Sequence, residues 1–122
     1  MKTPELNQAV ILAGGLGTRL RPLTDDRPKP MIEINDRPFL AYLLEQLVQQ
    51  GFTKLVLLLG YLPQKIQEYL GDGSDFGISV TYSISPLHFE TGPRLAAALN
   101  QLDPYFLLMY CDNYWPFQRE AL

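Results

Sequence analysis

The sequence has one cysteine and one histidine among its 122 residues, and it carries no strong net charge of either sign. A lone cysteine excludes an internal disulfide and favours a reducing compartment. The net charge of −3 argues against a nucleic-acid binder, which would need a broad cationic surface. The apolar runs are far too short to cross a bilayer, and the first residues lack an apolar signal segment. We therefore expect a soluble cytoplasmic protein that binds neither nucleic acid nor membranes.

Hydrophobic residues make up 47 % of the chain and charged residues 19 %, which is typical of a folded domain with a buried core. The length suits one compact domain, residues 1–122. Short apolar runs typical of buried strands occupy residues 9–13, 55–59 and 105–110. Apolar and polar residues alternate at 78–84, which predicts a strand nearer the edge of the sheet. Amphipathic segments typical of helices lie between them, at residues 39–50, 63–70 and 94–102. This alternation predicts an α/β fold with a Rossmann-like, mainly parallel sheet and helices on both faces.

Right-handed crossovers place the four strands in the order 3-2-1-4, numbered by their appearance along the chain. The first and fourth strands are then neighbours at the point where the winding reverses, which is where open α/β sheets bind ligands. We therefore expect the loop that begins at Gly14 and the residues after Tyr110 to share one crevice.

The glycine-rich segment 14–19 (GGLGTR) leaves the first predicted strand directly. Glycines let backbone N–H groups approach a phosphate or a base without a Cβ in the way, although a tight turn without a ligand fits the glycines alone equally well. The segment is not a Walker A loop, because it ends in Thr18-Arg19 rather than Gly-Lys-Ser/Thr. A dinucleotide fingerprint is also excluded, because the helix that it requires would be broken by Pro22, Pro28 and Pro30.

Four of the ten basic residues lie in one stretch of the chain, where two aspartates, Asp25 and Asp26, oppose them: Arg19, Arg21, Arg27 and Lys29. A concentrated positive loop on an acidic protein indicates a small anionic ligand. Lys29 stands between two prolines, so its backbone direction is fixed, which suits a phosphate contact. A solvated lysine in a stiff turn is the alternative.

The last predicted strand is followed closely by an acid, Asp112. A carboxylate at the C-terminal end of a strand, beside a phosphate loop, is well placed to bind Mg²⁺. An aspartate that caps the next turn is the alternative, since Asp-Asn is a common turn pair. Cys111, which precedes the acid, is interpreted as a small buried residue rather than a nucleophile.

Residues 12–24 (LAGGLGTRLRPLT) and 27–31 (RPKPM) together resemble the signature of the sugar-phosphate nucleotidyltransferases, or NDP-sugar pyrophosphorylases. The resemblance implies a glycosyltransferase-A-like Rossmann fold. It also implies two catalytic residues, Arg19 on the β- and γ-phosphates and Lys29 near the reacting phosphates, with Asp112 on Mg²⁺. The nucleotide-binding residues that it implies are Leu12, Ala13, Gly14, Gly15, Gly17, Thr18 and Arg19.

The activity implied by the resemblance is the formation of an NDP-sugar and pyrophosphate from an NTP and a sugar 1-phosphate. Members of that family are generally longer, and their second half supplies the sugar pocket and a further Mg²⁺-binding acid. We therefore expect this chain to be the N-terminal half of such an enzyme, weak or inactive alone, whose protein partners are further copies of itself or the missing C-terminal half. A catalytically incomplete nucleotide or nucleotide-sugar binding module that regulates a partner is the alternative. Glu90 departs from the family's base-reading turn, so the nucleotide base stays open.

Overall fold

The computed structural model describes residues 6–14 and 25–111. Three short 3-10 helices, Lys29–Met31, Ser74–Phe76 and Leu99–Gln101, accompany the regular elements. Along the chain the strands and α-helices are β1 (Gln8–Ala13), β2 (Glu33–Ile34), β3 (Arg37–Pro38), α1 (Phe39–Gln49), β4 (Lys54–Leu59), α2 (Pro63–Leu70), β5 (Ser79–Ile84), α3 (Thr91–Ala97) and β6 (Phe106–Tyr110).

The four long strands form one parallel sheet in the order β5-β4-β1-β6. This is the order 3-2-1-4 by appearance, so the predicted topology is confirmed. At the carboxyl edge of the sheet, Ala13 of β1 pairs with Leu59 of β4, and Leu12 pairs with Tyr110 of β6. The ends of β1, β4 and β6 therefore lie side by side, and the segments that follow them start from the same edge.

β1 is buried along its whole length because helices cover both faces of the sheet. On one face, Ile11 and Leu57 pack in a cluster with Leu43 of α1 and Ile66 of α2. On the other face, Val10, Leu12, Val56 and Leu58 pack against Ala98, directly after α3. Alternate residues of β1 thus point into two separate apolar clusters, which is why the strand reads as apolar at nearly every position. The predicted Rossmann-like fold with helices on both faces is confirmed.

The predicted helix ends coincide with residues that favour them. α1 is followed by Gly51 at φ 88°, and α2 begins at Pro63 and is followed by Gly71 at φ 54°. Glycine adopts positive φ without the Cβ clash that other residues meet, and proline suits the first helical position. None of the helices in the described ranges combines the length and apolar character that a membrane span requires.

Three local features differ from the sequence-based expectations. The helix predicted to run to Leu102 ends at Ala97, and a 3-10 helix, Leu99–Gln101, follows it. α3 starts at Thr91, not at Arg94, because Pro93 falls in the first helical turn, where its missing N–H has no helical partner to lose. The hairpin of β2 and β3 was not predicted at all. Its two-residue turn consists of Asn35 at φ 53° and Asp36 at φ 66°, residue types that tolerate the left-handed region.

A buried glutamine ties the start of β1 to the segment that leads into β6. The side chain of Gln8 is 2 % exposed; its Nε2 donates to the carbonyl of Gln101 at 2.8 Å, and its Oε1 accepts from the N–H of Asp103 at 2.7 Å. Lys54 of β4 adds an ion pair to the carboxylate of Asp103 at 3.0 Å. The connection between α3 and β6 is therefore held by the two neighbouring strands.

Replacing Gln8 with methionine keeps the side-chain length and removes both hydrogen bonds. The N–H of Asp103 and the carbonyl of Gln101 then lose their partners, so we expect the free energy of unfolding to fall by about 1–3 kcal/mol. Urea denaturation measures the change. Gln64→Met, at an exposed position of α2, is the matched control and should leave stability nearly unchanged. Equal stability of the two variants would show that the Gln8 bonds contribute nothing.

Candidate functional site

A cavity of about 300 Å³ opens at the carboxyl edge of the sheet, next to the ends of β1 and β6. Gly14 and Cys111 face it from these two strand ends, and the N–H of Cys111 donates to the carbonyl of Leu12 at 3.2 Å. The crevice expected between the first and fourth strands is therefore present. The described residues that line it are Leu12, Ala13, Gly14, Lys29, Pro30, Leu87, Phe89, Glu90, Thr91, Arg94, Tyr110 and Cys111.

Every predicted site residue that the structure describes lies on this cavity. These residues are Leu12, Ala13, Gly14 and Lys29. The remaining ones, Gly15, Gly17, Thr18, Arg19 and Asp112, lie outside the described residues. Their roles, like the roles of the four on the cavity, stay predictions. Cys111 is buried, as expected.

The backbone around Lys29 is firmly held. Pro28 and Pro30 are both buried, and Lys29 begins a 3-10 turn between them. The N–H of Met31 donates to the carbonyl of Pro28 at 2.9 Å, and the N–H of Ile32 donates to the carbonyl of Lys29 at 3.2 Å. Because these bonds fix the main chain, the half-buried side chain of Lys29 extends from a defined position on the cavity wall.

The two described cations of the basic stretch, Arg27 and Lys29, lie in different surroundings. Arg27 pairs at the surface with Asp26 at 3.2 Å and with Glu33 at 3.5 Å, and it is not among the residues that line the cavity. The hydrogen bond from Arg27 lowers the pKa of the Asp26 carboxyl below its ordinary value. Of the two described cations in this stretch, Lys29 faces the cavity, and Arg27 is neutralised by carboxylates outside it.

A second cation at the cavity, Arg94 of α3, was not predicted as a site residue, because in the sequence it marks only the start of a helix. Its side chain is 5 % exposed, and burial lowers the pKa of the guanidinium below its ordinary value. Nε donates to the carbonyl of Phe89 at 3.1 Å. The other acceptors, one hydroxyl and three carbonyls, are Ser85 Oγ at 2.9 Å, Leu59 O at 3.0 Å, Leu87 O at 3.1 Å and Gly14 O at 3.5 Å. No carboxylate in the described ranges pairs with it.

Two glycines leave the space that the guanidinium of Arg94 occupies. A Cβ at Gly14 would collide with the guanidinium carbon, and a Cβ at Gly60 would lie 2.7 Å from Nη1 and 2.9 Å from the carbonyl oxygen of Gly14. Real side chains do not tolerate such contacts, so both positions require glycine as long as Arg94 keeps its place. Gly14 and Gly60 each follow an apolar strand directly, and this placement is a sequence signal of a close approach at this edge.

Glu90 lines the cavity, whereas His88, two residues before it, does not. Glu90 lines the cavity with an exposed side chain and makes no capping hydrogen bond to α3. His88 is exposed, its ring meets Phe89 edge-on at 5.2 Å, and it does not line the cavity. No group of three His, Cys, Asp or Glu side chains suited to a metal occurs within the part of the chain that the structure describes. Glu90 is the one acid among the described lining residues.

Comparison with known families and proteins identifies the relatives of this chain. The family model described as "Nucleotidyl transferase" matches residues 8–117. N-acetylmuramate alpha-1-phosphate uridylyltransferase of Neisseria meningitidis is 42 % identical over 93 residues, which cover 75 % of this chain and 40 % of that protein. D-glycero-alpha-D-manno-heptose 1-phosphate guanylyltransferase of Campylobacter jejuni is 44 % identical over 92 residues, which cover 75 % and 41 %. This chain thus spans about two fifths of the length of these relatives.

A solved structure shares the fold over the same region. The chain superposes on HddC from Yersinia pseudotuberculosis, a crystal structure complexed with GMP-PN, with a TM-score of 0.82 and 32 % identity. The superposition covers 95 % of this chain and 52 % of the HddC chain.

The close approach at Gly60 predicts a selective loss of stability. Gly60→Ala forces a methyl group against the Arg94 guanidinium and the Gly14 carbonyl, so we expect the free energy of unfolding to fall by about 1–3 kcal/mol. Gly92→Ala is the control, because nothing lies within 4 Å of a Cβ at that position. Thermal unfolding of both variants checks the prediction, and a Gly60→Ala protein as stable as the wild type would contradict it.

Proposed function

The chain belongs to the nucleotidyl transferase family, and from this membership we propose that it forms the nucleotide-binding part of an enzyme that makes an NDP-sugar and pyrophosphate from an NTP and a sugar 1-phosphate. The observation that carries the proposal is the cavity in which Gly14, at the end of β1, and Lys29 face the end of β6. Its volume, about 300 Å³, lies in the range of small-molecule sites. We also propose a cytoplasmic location, which the single cysteine supports.

The charges at the cavity suit an anionic nucleotide. Lys29 and Arg94 contribute two cations, and Glu90 contributes one acid. The backbone at the end of β1 carries the start of the glycine-rich segment, where N–H groups without a neighbouring Cβ suit phosphate oxygens. We propose that the triphosphate lies over residues 14–19, with Arg19 and Lys29 as its cationic contacts. The relatives include a uridylyltransferase and a guanylyltransferase, so the base is left to experiment.

The reaction that we propose is a single displacement at phosphorus. An oxygen of the sugar 1-phosphate attacks the α-phosphorus of the NTP in line, a new P–O bond joins the two phosphates, and the bond to the β-phosphate oxygen breaks. Pyrophosphate leaves with the electron pair of that bond. Because no covalent enzyme intermediate is formed, Arg19 and Lys29 contribute by orienting the phosphates and offsetting their charge.

Magnesium fits the donor types that follow β6. Hard cations such as Mg²⁺ prefer carboxylate and phosphate oxygens, and Asp112 comes directly after Cys111 in the chain. We propose that Asp112 holds the ion together with phosphate oxygens of the nucleotide. The bound ion would supply positive charge to the phosphates.

The nucleotide-binding proposal is tested by measuring affinity for ATP, GTP, CTP, UTP and dTTP with Mg²⁺, first by thermal shift and then by titration calorimetry. We expect one or two of these nucleotides to bind. Lys29→Met and Arg19→Ala each remove a charged contact to phosphate and should weaken binding by about 10- to 100-fold. Lys65→Met, at an exposed lysine of α2, is the matched control and should bind normally. If Lys29→Met and Arg19→Ala retain wild-type affinity, the proposed phosphate contacts are wrong.

The metal proposal predicts that Asp112→Asn abolishes the dependence of nucleotide binding on Mg²⁺, because the amide replaces the anionic ligand of the ion. Titrations with and without Mg²⁺ measure this dependence. Asp75→Asn, an exposed aspartate in the 3-10 turn at residues 74–76, serves as the control. An Asp112→Asn variant that responds to Mg²⁺ like the wild type would remove Asp112 from the site.

A pyrophosphate-release assay with the nucleotide that binds and a panel of sugar 1-phosphates distinguishes between the two functions, a transferase and a regulatory binding module. Turnover supports the transferase. Nucleotide binding without pyrophosphate release in any combination would favour the regulatory module instead.

A further inference from the structure

Arg94 is a cation buried at the cavity, and no carboxylate of the described residues forms an ion pair with it. Its five N–H groups all have protein acceptors, and every acceptor is a backbone carbonyl or the Ser85 hydroxyl. Buried arginines are normally paired with a carboxylate, because the cost of removing the charge from water must be offset. No such carboxylate occurs among the described residues.

The acceptors come from separate segments at the carboxyl edge of the sheet, and three of them, Gly14, Leu87 and Phe89, line the cavity. Gly14 follows β1, and Leu59 ends β4. Ser85 follows β5, and Leu87 and Phe89 belong to the loop that leads into α3. The single guanidinium thus joins the start of the glycine-rich segment to the loop on the far side of the cavity.

The hydrogen bonds from Arg94 to backbone carbonyl oxygens affect how the cavity receives an anionic ligand. A carbonyl oxygen that faces a phosphate repels it, and the Nη2 of Arg94 engages the oxygens of Gly14 and Leu87, both of which are lining residues. The negative ends of these dipoles are therefore turned towards the guanidinium. Arginine keeps its charge at neutral pH even when buried, and a charge acts over a longer distance in a poorly solvated site than in water.

We propose that Arg94 is a positioning residue of the nucleotide site, which fixes the Gly14 carbonyl and the 87–89 loop and supplies a positive charge that the phosphates of the ligand neutralise. The proposal rests on the proposed function in taking a nucleotide as the ligand. Arg94 acts without touching the ligand, because its N–H groups are already engaged. Its effect has two separable parts, the hydrogen-bonded fork and the charge.

A substitution series separates these parts. Arg94→Met removes both, Arg94→Lys keeps the charge but loses the fork, and Arg94→Ala leaves space for a small molecule to replace the side chain. Arg37→Met is the matched control, because Arg37 pairs with Glu45, packs over the ring of Tyr42 and does not line the cavity. Affinities are measured by calorimetry for the nucleotide selected by the screen and, independently, for inorganic tripolyphosphate.

We expect Arg94→Met to weaken the binding of both ligands by at least about tenfold, because the phosphates lose a nearby positive charge and the Gly14 carbonyl is no longer turned towards a cation. Arg94→Lys should fall between Arg94→Met and the wild type, and Arg37→Met should match the wild type. In Arg94→Ala, millimolar guanidinium should restore affinity, whereas urea, a planar neutral molecule with similar N–H groups, should not. A purely structural arginine would be replaced equally well by either molecule.

The outcomes distinguish this proposal from the proposed function. Nucleotide binding that is equal in wild type, Arg94→Met and Arg94→Lys overturns the role of Arg94 and leaves the function standing. If urea and guanidinium restore the affinity of Arg94→Ala equally, the proposed role of the positive charge is wrong. If tripolyphosphate binds in an Arg94-dependent way but no nucleotide binds, Arg94 serves an anion site and the proposed function fails. A wild type that binds neither ligand overturns both. If Arg94→Met does not fold, Arg94→Lys and Arg94→Ala with guanidinium provide the same comparison.

Discussion

The parallel pairing of β1 with β4 on one side and β6 on the other is the constraint on which the rest of the structure depends. It places the first strand in the interior of the sheet and reverses the direction in which later strands are added. α1 and α2 therefore cover one face of the sheet, while α3 and Ala98, directly after it, cover the other. The gap where the winding reverses lies between the ends of β1 and β6, and the cavity occupies that gap.

The cations at the cavity come from distant parts of the chain, and each is held differently. Lys29 depends on the fixed backbone of a proline-flanked turn, whereas Arg94 depends on hydrogen bonds to carbonyls from several strand ends. Arg27 is only two positions from Lys29 in the sequence, yet it is neutralised by surface carboxylates. Two cations that lie close in the sequence therefore have different electrostatic roles here. A cation contributes to the cavity only where the backbone places its side chain at the strand ends.

Much of the fold was predictable because apolar runs, glycine stops and right-handed crossovers act locally or follow general rules of chain geometry. The predicted strand order and the shared crevice rest on these rules. Arg94 was not predictable in the same way, since the carbonyls that surround it come from residues up to 80 positions away. The β2–β3 hairpin was missed for a different reason: Asn35 and Asp36 form its turn without the glycine that usually marks one. The start of α3 was misplaced because a proline in the first turn resembles a helix break.

The pairing of Gln8 with Phe106 joins the two ends of the described chain, and this has a consequence for how the protein forms. β1 leaves the ribosome before both of its neighbours, and of these two strands β6 lies much further along the chain than β4. Contacts between residues so far apart in sequence slow folding, because a long loop must close before they form. During synthesis, one edge of an apolar strand stays without its partner, and such edges readily pair with strands of other chains. β1, an interior strand of this sheet, therefore needs protection from aggregation until β6 has been synthesised.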